Sequence, residues 1–132
     1  MARATFTGSP AGEVTGTVIP VDINLAPPRE TTSGCEASDF DPSLFLGEND
    51  IALIQRGGPP APAPVCTFGV KAANAEAAGA EAVIIFNQRN TPEREGLVFG
   101  TLGDTVVTIP LVAASSPMAQ RWPCPARRRM SW

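Results

Sequence analysis

The most constraining feature of this sequence is a strand–helix–strand unit between residues 51 and 86. The run IALI at residues 51–54 is short and continuously apolar, which fits a strand buried on both faces. The run AVIIF at residues 82–86 has the same character, and an alanine-rich segment lies between the two. A helical crossover normally places two such strands side by side and parallel. The sequence therefore predicts a βαβ core.

The alanine-rich segment is predicted to be a short helix with clear signals at both ends. Thr67 can cap a helix that begins near Phe68, and Gly79 is well placed as the left-handed residue that ends it. We expect the small side chains to form a stripe that lies against the sheet, while the polar side chains point elsewhere. The predicted stripe contains Val70, Ala73 and Ala77, and the polar set contains Lys71, Asn74 and Glu76.

Further strands are predicted on both sides of this unit. Residues 13–25 alternate in the period of a half-buried strand, and Pro20 divides them into two short strands or one broken edge strand. Residues 97–102 and 106–114 are two more apolar runs with β propensity. At 132 residues the chain fits one domain, and its pattern is that of a mixed α/β fold with strands added to the βαβ core.

Composition argues against several classes of function. The sequence has no histidine, no tyrosine and a single lysine, Lys71, so the usual groups for acid–base and nucleophilic catalysis near neutral pH are missing. The net charge of -3 argues against binding to nucleic acid. No run approaches the length of a membrane span, and residues 1–14 lack the apolar stretch of an export signal. We expect no catalytic residues, no cofactor and no membrane partner.

Two polar segments are predicted to be ordinary solvated loops. Four acids could offer oxygen ligands to calcium, but their spacing does not match a calcium-binding loop, and no metal site is predicted. These acids are Asp39, Asp41, Glu48 and Asp50. Residues 88–96, QRNTPEREG, contain two arginines and two glutamates and are predicted to be solvated surface.

Several motifs together resemble the protease-associated (PA) domain. GCEASDFDPSLF, DIALIQRG, CTFGVKAANAEAAGAEAVIIFNQ, GTLG and TIPLVAAS occur in the order and rough spacing of that family. The chain is most similar to the version inserted in secreted zinc aminopeptidases. The resemblance covers residues 14–115, which leaves residues 1–13 as an N-terminal extension and residues 116–132 as an irregular tail. It implies a three-layer β/β/α fold without catalytic residues of its own.

The resemblance also implies roles for three side chains. Cys35 and Cys66 occupy positions where such domains often carry a disulfide; the alternative is two free thiols, and Cys124 matches nothing in the family pattern. Arg56 follows the predicted strand at a turn that contacts peptide ligands in sorting-receptor relatives. Its guanidinium could bind a carboxylate or peptide carbonyls. The alternative role for Arg56 is to hold a loop backbone in place.

The resemblance implies that the chain binds other polypeptides and does not catalyse a reaction. The chain is predicted to be a non-catalytic interaction or substrate-contact module of a larger secreted peptidase, whose partners are a peptide or protein substrate or the parent's catalytic domain. An extracellular location is expected for the parent, although this chain shows no export signal. One alternative is a fragment of a zinc-dependent aminopeptidase whose hydrolase activity the chain would share, and another is a stand-alone sorting or adhesion module.

Overall fold

The computed structural model describes residues 3–47, 49–89, 91–94, 96–98, 100–115 and 127–131. These residues form strands, one α-helix and two short 3-10 turns, the latter at Ala37–Asp39 and Pro92–Arg94. In chain order the main elements are β1 (Arg3–Thr5), β2 (Glu13–Val21), β3 (Asp50–Gln55), α1 (Phe68–Ala78), β4 (Ala82–Phe86), β5 (Leu111–Ala114) and β6 (Arg127–Ser131).

The described strands pair in one six-stranded sheet with the order β1-β5-β4-β3-β2-β6. The four central strands are parallel, and the outer strands β1 and β6 are antiparallel to their neighbours. The predicted βαβ core is confirmed: β3 and β4 are adjacent and parallel, with Ile51 paired to Ala82. Every residue of both strands is buried, which explains why each appears in the sequence as an unbroken apolar run.

Helix α1 begins and ends at the predicted residues. The side chain of Thr67 accepts a hydrogen bond from the backbone N–H of Val70 at 3.1 Å. Gly79 has a φ of 108°, so it lies in the left-handed region that a glycine tolerates without strain. The local signals for starting and stopping the helix were therefore sufficient to fix its bounds.

The predicted orientation of α1 is wrong by about half a turn of the helix. Val70, Ala73 and Ala77 are exposed, whereas Ala72 and Ala75 are fully buried against the sheet. Lys71, which was expected to point away from the packed face, is 1% exposed. Because nearly every residue of this helix is small, apolar periodicity along it is weak and does not define one face.

The sheet has an apolar cluster on each face. Ala72 and Ala75 of α1 belong to the cluster that contains Ile54 and Ile85, while the other cluster contains Leu53 and Ile84. Alternate residues of the same strands thus serve opposite faces. The mixed α/β class with antiparallel additions is confirmed. All the described strands lie in one sheet.

Three sequence-based strand predictions differ from the structure. β2 runs unbroken through Pro20, and its described pairing with β6 covers residues 13–17, so the proline lies beyond that described pairing. Among the described residues of the ranges 97–102 and 106–114, Leu111–Ala114 is the only strand. Val98, Leu102 and Val107 are buried in irregular segments that cover the helix side of the core, which accounts for their apolar character.

Both ends of the chain contribute strands. The irregular tail predicted for residues 116–132 is wrong for residues 127–131, which form β6 along β2; residues 116–126 lie outside the described residues. The predicted N-terminal extension includes β1, and Phe6 just after it is buried in the core. An edge strand can be recruited by backbone pairing alone, so side-chain periodicity was a poor guide to both segments. No helix in the described part of the chain has the length and apolarity needed to cross a membrane.

Candidate functional site

A cleft of about 490 Å³ opens beside the turn that follows β3. One wall of the cleft is formed by Arg56, Gly57 and Gly58, and a second wall by residues 65–68 and Lys71. The remaining lining residues are Arg94 and residues 100–101. This position lies at the carboxyl end of a parallel strand and at the start of the next helix. Open α/β sheets commonly bind ligands at this kind of crevice. We call this feature the basic cleft, because its charged lining residues are Arg56, Lys71 and Arg94.

Arg56 is held at the mouth of the basic cleft by the end of β4. Its backbone N–H donates to the carbonyl of Phe86 at 2.9 Å, and its Nη1 donates to Oδ1 of Asn87 at 3.3 Å. Burial, and secondarily the positive charge of Arg94, lower the pKa of Arg56. Among the described residues, one long hydrogen bond satisfies only a small part of this guanidinium, which carries five N–H donors.

The sequence did not single out Arg94, and the predicted solvated surface of residues 88–96 does not hold at Gln88. Gln88 is only 5% exposed and accepts a hydrogen bond at Oε1 from Arg94 Nη1 at 2.9 Å. Asn87 is also buried, and its Nδ2 donates to the carbonyl of Gly96 at 3.0 Å. Two buried amides directly after β4 thus orient two arginines toward one cleft. The signal in the sequence was the polar pair Asn87-Gln88 at the end of a fully buried strand.

The charges of the basic cleft are all of one sign. Arg56 and Arg94 are close enough for their charges to repel, and no carboxylate is among the described residues that line the cleft. Thr67 and Phe68 place the amino-terminal end of α1 in the same wall, which adds the positive end of the helix dipole. An arrangement of this kind favours a ligand group that carries negative charge.

A second, smaller cavity adjoins the first across the glycine turn. It measures about 230 Å³, and its lining includes Gly57, Gly58 and Arg94, which it shares with the basic cleft. Glu30 lies in this second cavity. Gly57 has a φ of 139°, and a Cβ there would meet the carbonyl oxygen of Thr31 at 2.9 Å. The turn between the cavities is therefore restricted to glycine at this position.

Cys35 and Cys66 are joined by a disulfide, with their Cα atoms 5.7 Å apart. The bond ties the loop before the first 3-10 turn to the segment that leads into α1, and Cys66 lines the basic cleft. Cys124, for which no role was predicted, lies outside the described residues.

Lys71 is the second feature that sequence reasoning missed. Its ammonium donates to the backbone carbonyls of Ser33 and, at 2.9 Å, Gln55. Burial lowers its pKa from the ordinary 10.5 to about 8, and the carboxylate of Asp39 acts weakly in the opposite direction. A lysine is rarely buried to this extent, and the two carbonyls explain how this one remains hydrogen-bonded. It fastens the disulfide loop to the end of β3.

The buried lysine makes stability depend on pH in a defined direction. Between about pH 8 and pH 10.5 the unfolded chain keeps a proton on Lys71 that the folded chain has released. Because the unfolded state then binds more protons, the free energy of unfolding rises with pH across this interval, by about 2 to 3 kcal/mol. Urea denaturation at pH 7.5 and pH 10 measures the rise.

The matched variant for this experiment is Lys71→Met, which keeps the length of the side chain and removes the titrating group. The chain has no other lysine and no tyrosine, so few other groups titrate in this range. We expect the variant to lose the rise in stability between the two pH values. A rise of equal size in both proteins would assign it to another group.

The acidic residues do not form a metal site in the described part of the chain. No group of three or more histidine, cysteine, aspartate or glutamate side chains converges among those residues. Asp41 accepts hydrogen bonds from the backbone and side chain of Ser43 at 2.9 Å and 2.7 Å, which lower its pKa. Asp39 closes the capping box of the first 3-10 turn. Glu48, the remaining member of the predicted acidic set besides Asp50, lies outside the described residues.

Comparison with known proteins finds one family and a consistent set of relatives. Residues 14–122 match the family described as PA domain. Aminopeptidases from two strains of Pseudomonas aeruginosa, UCBPP-PA14 and PAO1, are each 45% identical to this chain over 113 residues. That alignment covers 85% of this chain but 19% of each relative. The chain therefore spans about a fifth of the length of the curated relatives it matches.

Solved structures show the same fold within larger chains. A zinc aminopeptidase from Bacillus subtilis, BSAP, matches with a TM-score of 0.66 and 23% identity, over 98% of this chain and 28% of that one. An aminopeptidase from Aneurinibacillus sp. strain AM-1 matches with a TM-score of 0.60 and 26% identity, over 92% of this chain and 24% of that one.

The donor groups among the described residues do not fit a catalytic zinc ion. The sequence has no histidine, and the described residues contain no converging set of three potential ligands. Zinc sites in proteins are built from three or four such ligands.

Proposed function

The chain belongs to the PA domain family, and on that premise we propose that it is a non-catalytic contact module of a larger secreted peptidase. In this proposal the basic cleft binds an acidic group of a peptide or protein substrate. The observation that carries the proposal is the pair Arg56 and Arg94, which face one cleft whose described lining contains no carboxylate.

The size and shape of the site favour an extended peptide. The basic cleft and the smaller cavity share Gly57, Gly58 and Arg94, so one chain segment can cross the turn and contact both. A glycine turn lets another backbone approach closely because no Cβ stands in the way. Glu30 in the smaller cavity would favour a basic or amino group at that end, opposite to the acidic group at Arg56.

The test is a binding titration with two short peptides whose ends are blocked. The peptides are identical except that the first carries one glutamate as its charged group and the second carries glutamine. We expect the glutamate peptide to bind more tightly, and Arg56→Ala to weaken its binding about tenfold or more, since a charge-assisted hydrogen bond is worth ~1.5 to 3 kcal/mol. Calorimetry at low salt measures the affinities, and added salt should reduce the difference.

Arg89→Ala is the matched control. Like Arg56→Ala, this variant removes one positive charge, but Arg89 lies in the loop after β4 and does not line the basic cleft. We expect this variant to bind the glutamate peptide as the unmodified chain does. Equal affinity for the two peptides, or an equal loss in both arginine variants, would contradict the proposed role of the cleft.

The proposal that the chain is non-catalytic has its own test. Purified chain supplied with zinc is expected to leave an aminoacyl reporter intact. Hydrolysis above the rate of the buffer with zinc would show that this chain shares the chemistry of its aminopeptidase relatives.

A second candidate partner is the catalytic domain of the parent peptidase. Val65 and Val106 are 82% and 88% exposed, and Val70 is also exposed. Thr105, which precedes Val106, lies against Gly69 in the first turn of α1, so these valines surround the start of that helix. Exposed apolar side chains grouped beside a polar cleft favour contact with another polypeptide surface.

A further inference from the structure

The buried ammonium of Lys71 has three N–H groups and three acceptors of unequal strength. Two are the carbonyl oxygens of Ser33 and Gln55, and the third is Sγ of Cys35, 3.8 Å from Nζ. A sulfur atom in a disulfide is a weak acceptor, whereas a thiolate in the same place would carry a full negative charge. Lys71 is therefore already positioned to stabilise a thiolate on Cys35.

The two sulfur atoms of the disulfide lie in different surroundings. Both cysteines are partly exposed, but Cys66 lines the basic cleft, so a small molecule in the cleft can reach it. Cys35 is not among the residues that line this cleft, and its sulfur lies beside Lys71. The carbonyl oxygen of Gly57 is 3.7 Å from the same sulfur. Asp39 is the acid whose charge acts on Lys71.

This asymmetry determines which sulfur is the better leaving group. A cation close to a thiol lowers the pKa of that thiol, and the cysteine with the lower pKa leaves faster in thiol–disulfide exchange. Cys66 also lies in a positive environment, because it precedes the first turn of α1 and shares the basic cleft with Arg56 and Arg94. Among the described contacts, however, the charged group that reaches a cysteine sulfur directly is Lys71, whose third N–H points to Cys35. We therefore expect an incoming thiol to attack the sulfur of Cys66, and Cys35 to leave as the thiolate.

We propose that the Cys35–Cys66 disulfide is a site of thiol exchange with a fixed polarity, at which a low-molecular-weight thiol becomes attached to Cys66. The incoming thiolate attacks Sγ of Cys66 and forms a new S–S bond. The old S–S bond breaks, and its electron pair leaves on Cys35 as a thiolate beside the ammonium of Lys71. The sulfur of the incoming thiol is oxidised and that of Cys35 is reduced, so electrons balance without a further reactant.

Attachment at Cys66 would change the basic cleft itself. The attached thiol would lie in the wall between the glycine turn and the start of α1, because Cys66 belongs to that wall. It would also release the loop that the disulfide holds. The inference rests on Lys71 and the disulfide, and it stands whether or not the cleft binds an acidic peptide.

The first experiment uses the unmodified chain and glutathione. The oxidised protein is incubated with glutathione, quenched in acid, treated with iodoacetamide and digested with trypsin. Cleavage after Arg29, Arg56 and Lys71 places Cys35 and Cys66 on separate peptides. We expect glutathione on Cys66 and the alkyl group on Cys35, with an excess of about threefold or more over the reverse pattern. Glutathione chiefly on Cys35, equal labelling, or no adduct on the folded protein would overturn the proposal.

The second experiment measures the two thiols one at a time. Cys66→Ser leaves Cys35 free and Cys35→Ser leaves Cys66 free, both in a Cys124→Ser background. The rate of alkylation against pH should place the thiol pKa of Cys35 about one unit or more below the ordinary ~8.5 and below the thiol pKa of Cys66. Adding Lys71→Met to the Cys66→Ser protein should raise the thiol pKa of Cys35. Equal values for the two cysteines would overturn the proposal even if the Lys71 variant failed to fold.

Discussion

Replacement of Gly16 with alanine is expected to lower the free energy of unfolding by about 3 kcal/mol or more, since overpacking against a rigid backbone is among the most destabilising changes known. A Cβ on Gly16 would lie 1.5 Å from the carbonyl oxygen of Asn49 and 2.6 Å from its carbonyl carbon. Neither atom can rotate away as a side chain can. The parallel pairing of β2 with β3 begins at the next residues, Thr17 and Asp50, so the added methyl group would force the two strands apart.

The matched control is Gly96→Ala, because a Cβ at Gly96 would meet no atom within 4 Å. We expect the control to change the free energy of unfolding by no more than about 0.5 kcal/mol. Urea denaturation followed by circular dichroism measures both variants. Indistinguishable midpoints for Gly16→Ala and Gly96→Ala would contradict the close contact between β2 and the residues that lead into β3.

Removal of the disulfide is the second change with a large expected effect. Replacing Cys35 and Cys66 together with serine should lower the free energy of unfolding by about 3 to 4 kcal/mol on the chain-entropy estimate. The two cysteines are 31 residues apart, so the bond restricts a substantial loop in the unfolded chain. For a domain whose total stability is ~5 to 15 kcal/mol, the loss is a large fraction.

The comparison is made in a Cys124→Ser background, which prevents exchange with the third cysteine. Cys124→Ser alone provides the reference midpoint in guanidinium chloride. A loss below about 1 kcal/mol in the double variant would mean that the cross-link adds little to the stability of this fold.

The β3–α1–β4 unit was predictable because its signals are local. Two buried parallel strands appear as unbroken apolar runs, and Thr67 and Gly79 define the helix ends through their own backbone and side-chain chemistry. None of these features needs a contact far away in the sequence. Residue type and spacing were therefore sufficient for the centre of the fold.

The site depended on contacts between distant residues. Lys71 is buried because the carbonyls of Ser33 and Gln55, which lie 38 and 16 residues away, accept its hydrogen bonds. Arg94 faces the cleft because Gln88 is buried and orients it. Lysine and arginine are usually exposed, so their placement here could be inferred only after the sheet had brought those partners together.

The strands at the edges of the sheet were missed for a related reason. Residues 127–131, RRRMS, have no alternating pattern, and they pair with β2 through backbone hydrogen bonds. The same applies to residues 3–5, which pair with β5. Such segments become strands by pairing with the unpaired backbone groups at the edges of the parallel core. Because those edges exist only in the folded sheet, the local sequence does not predict the pairing.

The central claim, that the basic cleft is a contact site for an acidic group, is tested most directly by locating the bound peptide. Chemical-shift mapping of the ¹⁵N-labelled chain during titration with the glutamate peptide reports each backbone amide separately. We predict that the largest changes fall on the amides of Gly57, Gly58, Thr67 and Thr101, and that the glutamine peptide leaves these amides nearly unchanged. Saturable changes centred on another surface, or equal changes with both peptides, would contradict the account.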